Sequence, residues 1–219
     1  MLKPVRRGQI SLEFMFVFAV ILILLTYSVN NVTFKNGATS AETLQVQISL
    51  EEKNLANVVS NTITQVYSQG PGSKATSYVR LVYLRDPTYL QKALKVSNPQ
   101  IFVTYGTLDA QGNGTYVMVI NGSGTTNVEL TGGNKNAFWS RALYNSNTLV
   151  NSSVWTSNSG TTATITINGT SKTVYGLVIP TQGLPGELKV VVEWNPDKPE
   201  SWLFNGTAGE IMININPGG

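Results

Sequence analysis

Along the chain, apolar and polar positions fall into three regimes. Residues 14 to 29 are apolar without a break except at Thr26 and Ser28, which predicts a helix greasy on every side. From Leu44 the pattern becomes a stripe. Leu44, Ile48, Leu55, Val59, Ile63 and Val66 recur at helical spacing, and this predicts an amphipathic helix that packs on a globular domain of its own chain. Asn36-Gly37 is a turn signal between the two. Thr39 with Glu42 has the form of a capping box, which places a second helix start near Ala41; one long kinked rod and two separate helices both stay open at this point. Gly70-Pro71-Gly72 closes that helix.

Beyond Ser77 the period shortens to that of strands. Tyr78–Tyr83, Tyr116–Ile120, Ala163–Ile167, Leu188–Trp194 and, in part, Glu210–Ile215 are rich in β-branched and aromatic residues or alternate. Ile167-Asn168-Gly169-Thr170, followed by a β-rich run from Thr173 to Ile179, signals a tight hairpin. The expected fold is α+β: a long N-terminal hydrophobic helix followed by a mainly antiparallel, sandwich-like β domain. The boundaries are 1–8 for a basic leader, 9–34 for the hydrophobic helix, 35–72 for a polar kink with the amphipathic helix, and 73–219 for the β domain.

Charge changes this picture only at the start. Lys3, Arg6 and Arg7 lie within the first eight positions, and without them twelve basic residues face twelve acidic ones. No basic face remains for nucleic acid, which is set aside as a partner. A positive start and an apolar run are two parts of a secretion signal, and the basic residues favour a cytoplasmic N-terminus. No small-x-small cleavage site follows the run, so the apolar helix is expected to stay on the mature chain. Its sixteen residues span about 24 Å as a helix, marginal against a bilayer core of about 30 Å.

Glu13 stands at the lip of this run. Two roles fit it. As a first-turn acid it complements the helix dipole by about 0.3–1 kcal/mol. If the chain is cut between Gly8 and Gln9, the new amine of a neighbouring copy would neutralise Glu13 and set the register of a bundle.

The segment Arg6-Arg7-Gly8-Gln9-Ile10-Ser11-Leu12-Glu13-Phe14 resembles the class III signal peptide of archaeal type IV pilins. The resemblance implies cleavage between Gly8 and Gln9 by a prepilin peptidase, a precursor held in the cytoplasmic membrane, and extraction by a membrane assembly platform and its ATPase into an extracellular homopolymer. It implies docking through Gln9 and Glu13, and a filament core built from Phe14, Phe16, Val17, Val20, Ile21, Leu24 and Leu25. The β domain would then coat the filament and meet cell or abiotic surfaces. Two alternatives stay open. One is an archaellin-type subunit, whose helix usually lacks an acid at this place. The other is a membrane-anchored binding protein, such as a sugar receptor, that does not polymerise.

Chemistry is sparse. The chain has neither Cys nor His, which removes disulfides, thiolate nucleophiles, the commonest general base and most zinc sites. No phosphate loop, calcium loop or nucleophile elbow occurs. Only Glu51 and Glu52 are adjacent acids, and they are placed on a helix surface. No enzyme activity, cofactor or metal is expected. Trp139, Trp155, Trp194 and Trp202 read as packing aromatics ahead of a carbohydrate platform. Six Asn-x-Ser/Thr sequons, at Asn31, Asn113, Asn121, Asn151, Asn168 and Asn205, are candidate N-glycosylation acceptors. Chance alone gives about four, so the number decides little.

Overall fold

The computed structural model describes the backbone of residues 7–108, 112–122, 124–132 and 135–217; in the first helix, side chains are described for residues 14–28 and from 41 onward. Two compact units are present, Met1–Thr43 and Leu44–Gly219.

The first helix, α1, is assigned from Arg7 to Gln69. Its backbone stays helical through Asn36-Gly37, so the turn and the second helix start near Ala41 do not occur. Glycine in a helix interior costs only about 1 kcal/mol, which helix on both sides outweighs. The end is where the sequence placed it. Gly70 turns to φ +90° and its N–H donates to Val66 O at 3.2 Å, a left-handed stop that suits glycine.

After α1 come β1 (Lys74–Arg80), a short helix α2 (Pro87–Leu94), β2 (Pro99–Gly106), β3 (Gly114–Asn121), β4 (Thr126–Asn127) and β5 (Ala137–Arg141). Two single 3-10 turns precede β6 (Trp155–Ser157). Then follow β7 (Thr162–Ile167), β8 (Thr170–Tyr175), β9 (Leu177–Pro180), β10 (Glu187–Glu193), β11 (Ser201–Asn205) and β12 (Glu210–Asn214). Three sheets result, with strand orders β1-β10-β12-β11-β6, β5-β3-β2-β9 and β4-β7-β8. Antiparallel pairing dominates among the described strands; β10 with β12, β6 with β11, and β4 with β7 are parallel. The α+β class holds.

The four-stranded sheet is buried on both faces, and alternation along it divides two cores. Ile101, Val103, Tyr105, Val117 and Val119 face the α1 stripe and the inner side chains of the five-stranded sheet, including Val190, Val192, Ile211 and Ile213. Phe102, Tyr116, Met118 and Ile120 face the other way, against Ala163, Ile165 and Val174 of the three-stranded sheet. The amphipathic helix thus fills the space between two sheets, as its stripe predicts.

Three local outcomes have clear causes. Asn168 and Gly169 both take positive φ, 51° and 77°, and Ile167 pairs with Thr170; this is the two-residue primed turn that Asn-Gly favours. The run Thr173 to Ile179 is not one strand. It divides at Gly176, where the chain passes from the three-stranded to the four-stranded sheet, and a Cβ there would lie 2.6 Å from both Phe102 Cζ and Val103 O. The run Tyr78–Tyr83 stops pairing at Arg80 because the amides of Val82, Tyr83 and Leu84 are taken by a side chain of α1.

Candidate functional site

Within residues 14–28 of α1, every side chain is exposed. The expected core positions Phe14, Phe16, Val17, Val20, Ile21, Leu24 and Leu25 lie between 42% and 71% exposed. Phe14 and Phe18, one turn apart, stack at 6.4 Å between centroids. Thr26, the polar residue inside the run, donates its hydroxyl to Leu22 O at 2.8 Å, so it brings no unsatisfied group to an apolar environment. The segment is an apolar surface broken only by Thr26 and Ser28, with all its side chains exposed among the described residues. Burial of one such side chain is worth about 1.5–3 kcal/mol. Among the described residues, no helix is long and apolar enough to cross a membrane. The backbones of Gly8, Gln9, Glu13 and Asn31 belong to α1; their side chains lie outside the described residues, as do the leader positions before Arg7.

Residues 6–32 match the class III signal peptide family. The match covers about an eighth of the chain, from Arg6 through the Gly8-Gln9 junction and the whole apolar run. No curated protein and no solved structure matches the chain. A class III signal peptide is consistent with a type IV pilin-like protein and supports a secreted filament subunit of the pilin or archaellin-like kind. It implies processing by a prepilin peptidase and assembly into a filament, and suggests a membrane-anchored precursor of a surface filament.

The part of α1 beyond the signal peptide is built differently. Ile48, Leu55, Val59, Ile63 and Val66 are completely buried. Polar side chains between them tie the helix to the sheets. Ser60 Oγ donates to Ser140 O at 2.6 Å and accepts from Thr115 N at 3.2 Å. Thr62 Oγ1 meets Ser77 Oγ at 2.9 Å, and Thr64 Oγ1 accepts from Leu143 N at 3.2 Å. Lys53 Nζ donates to Trp139 O at 2.5 Å, and burial, with Lys135 adding repulsion, draws its pKa down.

The two adjacent acids are not surface groups, contrary to the sequence expectation. Glu51 is half-buried and takes the amides of Val82, Tyr83 and Leu84 on its two oxygens at 2.9–3.2 Å, shaping the turn into α2. Glu52 is 2% exposed. Burial pushes its carboxyl well above the usual range, against the lowering effect of a backbone bond from Val119. Its Oε1 is buried with no partner among the described residues. One signal could have found it. The apolar stripe skips from Ile48 to Leu55, and residue 52 occupies the missing position.

The tryptophans are packing residues, as the sequence reading favoured. Trp155, Trp202, Tyr105, Tyr144, Tyr67 and Trp194 form a chain of rings at 4.9–5.9 Å spacing. Burial first, then the neighbouring Tyr144 and Glu200, raises the Tyr105 hydroxyl, which donates to Tyr144 O.

The sequons are not equivalent. Asn151 and Asn168 are exposed, the latter at the hairpin tip; Asn121 and Asn205 are half-buried. Asn205 Oδ1 accepts from Thr207 and Ala208 amides. Asn113 instead spends its nitrogen on Tyr144 O at 2.7 Å, and its Oδ1 is buried. Among the described residues, no group of three or more His, Cys, Asp and Glu is gathered that could hold a metal ion.

Proposed function

We propose that this chain is the structural subunit of an archaeal type IV pilus-like filament that serves adhesion to surfaces or other cells. The observation that carries it is the signal-peptide match over residues 6–32 on a segment whose apolar side chains are exposed throughout residues 14–28. Cleavage between Gly8 and Gln9 releases an amine with a reference pKa of about 7.7–8.0, largely cationic at neutral pH. That amine pairs with Glu13 of a neighbour, while Phe14, Phe16, Val17, Val20, Ile21, Leu24 and Leu25 leave lipid for one another. The head needs no catalytic residue; it presents the exposed Asn151 and Asn168 as glycan acceptors on the outer surface.

Electron microscopy of sheared surface material, with N-terminal sequencing of the protein in it, tests this reading. The chain should be the principal protein of the filaments and begin at Gln9. Recovery only from detergent-solubilised membranes would replace the filament by an anchored monomer, and a start after Val29 would remove the assembly segment altogether.

A further inference from the structure

The sequence holds five Asn-Gly pairs, at Asn36, Asn113, Asn121, Asn168 and Asn205. Asn is a thermolabile residue, and before glycine it is most open to attack from its own backbone. The amide nitrogen of the next residue can reach the side-chain carbonyl carbon, and glycine puts no Cβ in the way and has the freest backbone. All but Asn36 are also sequons, so at four places one side-chain nitrogen has two competing fates: attachment of a glycan, or loss as ammonia.

The fold restrains the five pairs unequally. Gly37 lies in the interior of α1, its amide committed to the helical ladder. Asn113 has its side-chain nitrogen bonded to Tyr144 O, and Gly114 is paired between β2 and β5. Gly122 N donates to Asn98 O at 2.9 Å. Asn205 Oδ1 is held by the amides of Thr207 and Ala208. Asn168 has none of these restraints. It is exposed at the tip of the β7–β8 hairpin, and among the described residues neither its side chain nor the Gly169 amide has a hydrogen-bond partner. In the closed turn Asn168 is left-handed, at φ 51°, and it must rotate before Gly169 N can line up with its Cγ. That rotation is cheap here. The tip is followed by the exposed residues Thr170 to Thr173 of the edge strand β8, so opening it breaks few contacts and falls at the low end of local unfolding energies.

We propose that Asn168 is a self-modification site of the bare chain. Gly169 N bonds to Asn168 Cγ, the Cγ–Nδ2 bond breaks, and ammonia departs with the Gly169 amide proton, leaving a succinimide. Water then opens the ring at either carbonyl, which gives aspartate or isoaspartate at this position and one new negative charge on the hairpin tip. A glycan on Asn168 Nδ2 takes away the small leaving group and blocks the first step. The inference adds a second fate to the residue proposed above as a glycan acceptor, and the chemistry of the bare chain does not depend on polymerisation.

The test follows the full chain, made in a host without N-glycosylation and kept in detergent at neutral pH in heavy-oxygen water, by peptide mapping with mass spectrometry. Heavy oxygen should enter at residue 168 about tenfold faster or more than at residues 113, 121 and 205, with both aspartate and isoaspartate formed. In urea the four rates should converge, since the fold alone separates them. Gly169→Ala should slow conversion of Asn168 about tenfold, whereas Thr170→Val, which removes the sequon and keeps the Asn-Gly pair, should leave the rate of the bare chain unchanged. Conversion of Asn168 no faster than that of the other three in the folded chain, or an undiminished rate in Gly169→Ala, overturns the proposal.

Discussion

One helix carries two apolar surfaces with opposite fates. In residues 14–28 the aromatic and aliphatic side chains are exposed on all sides, whereas Ile48, Leu55, Val59, Ile63 and Val66 are completely covered. Residue type does not separate them; both are rich in Val, Ile and Leu. The difference is arrangement. A stripe interleaved with Ser60, Thr62 and Thr64 matches sheets that have backbone groups to offer. A segment apolar all round has no polar face to leave in water and needs cover on every side. The head therefore completes itself, whereas on the function proposed above the signal-peptide helix is completed by lipid and then by other copies.

The largest break of this contrast is a charge in the first segment. Ile21→Arg carries about 2.5–3.5 kcal/mol against an apolar surrounding, roughly a hundredfold per subunit. Filaments counted by electron microscopy should vanish, while the head's thermal transition, followed by tryptophan fluorescence, stays in place. The converse substitution is Ile63→Ala. It should lower head stability by about 2–5 kcal/mol in denaturant titration and leave insertion of the precursor into membranes unaltered. Next in size is Glu51→Ala, which frees the amides of Val82, Tyr83 and Leu84. A loss of about 1.5–3 kcal/mol is expected, with faster hydrogen exchange confined to residues 82–84. The smallest effect is Glu52→Gln, and it has the opposite sign. Burial raises the Glu52 pKa in the folded head, so folding holds its proton where the unfolded chain releases it. Stability is full below the ordinary carboxylate pKa of about 4.3 and declines as pH rises toward the raised folded value. The variant should be the more stable protein at neutral pH and lose that advantage near pH 4. A flat difference between pH 4 and 8 would mean Glu52 is charged in the fold.

Much of this was legible in the residues. The stripe from Leu44 to Val66, the stop at Gly70 and the Asn168-Gly169 turn each follow from a local rule. So do β3, β7, β10 and β12, whose composition is unambiguous. What escaped depends on distant partners. Pro99–Gly106, the central β2, was not singled out, because a strand buried on both faces shows no alternation and opens on a proline. Glu51 and Glu52 look alike as neighbours in a chain, yet 100° of helical rotation sends one to a loop and the other into the core. Asn113 and Asn168 share the Asn-Gly-Thr motif, and only the fold shows that one amide is turned inward. The signal peptide itself was readable because its match rests on one contiguous run of residues, where order and spacing are the whole of the information.

The outer sheet has a consequence for how the molecule is made. Its first strand, β1, pairs with β10, and β10 pairs with β12 at the far end of the chain. Synthesis delivers the stripe of α1 early and its cover last. Until Glu187–Asn214 emerges, that stripe has no partner sheet on one side, and such long-range closure is slow. On the secreted reading proposed above, a chain that crosses the membrane before Glu187–Asn214 has joined the sheet would do so with that apolar stripe still uncovered on one side.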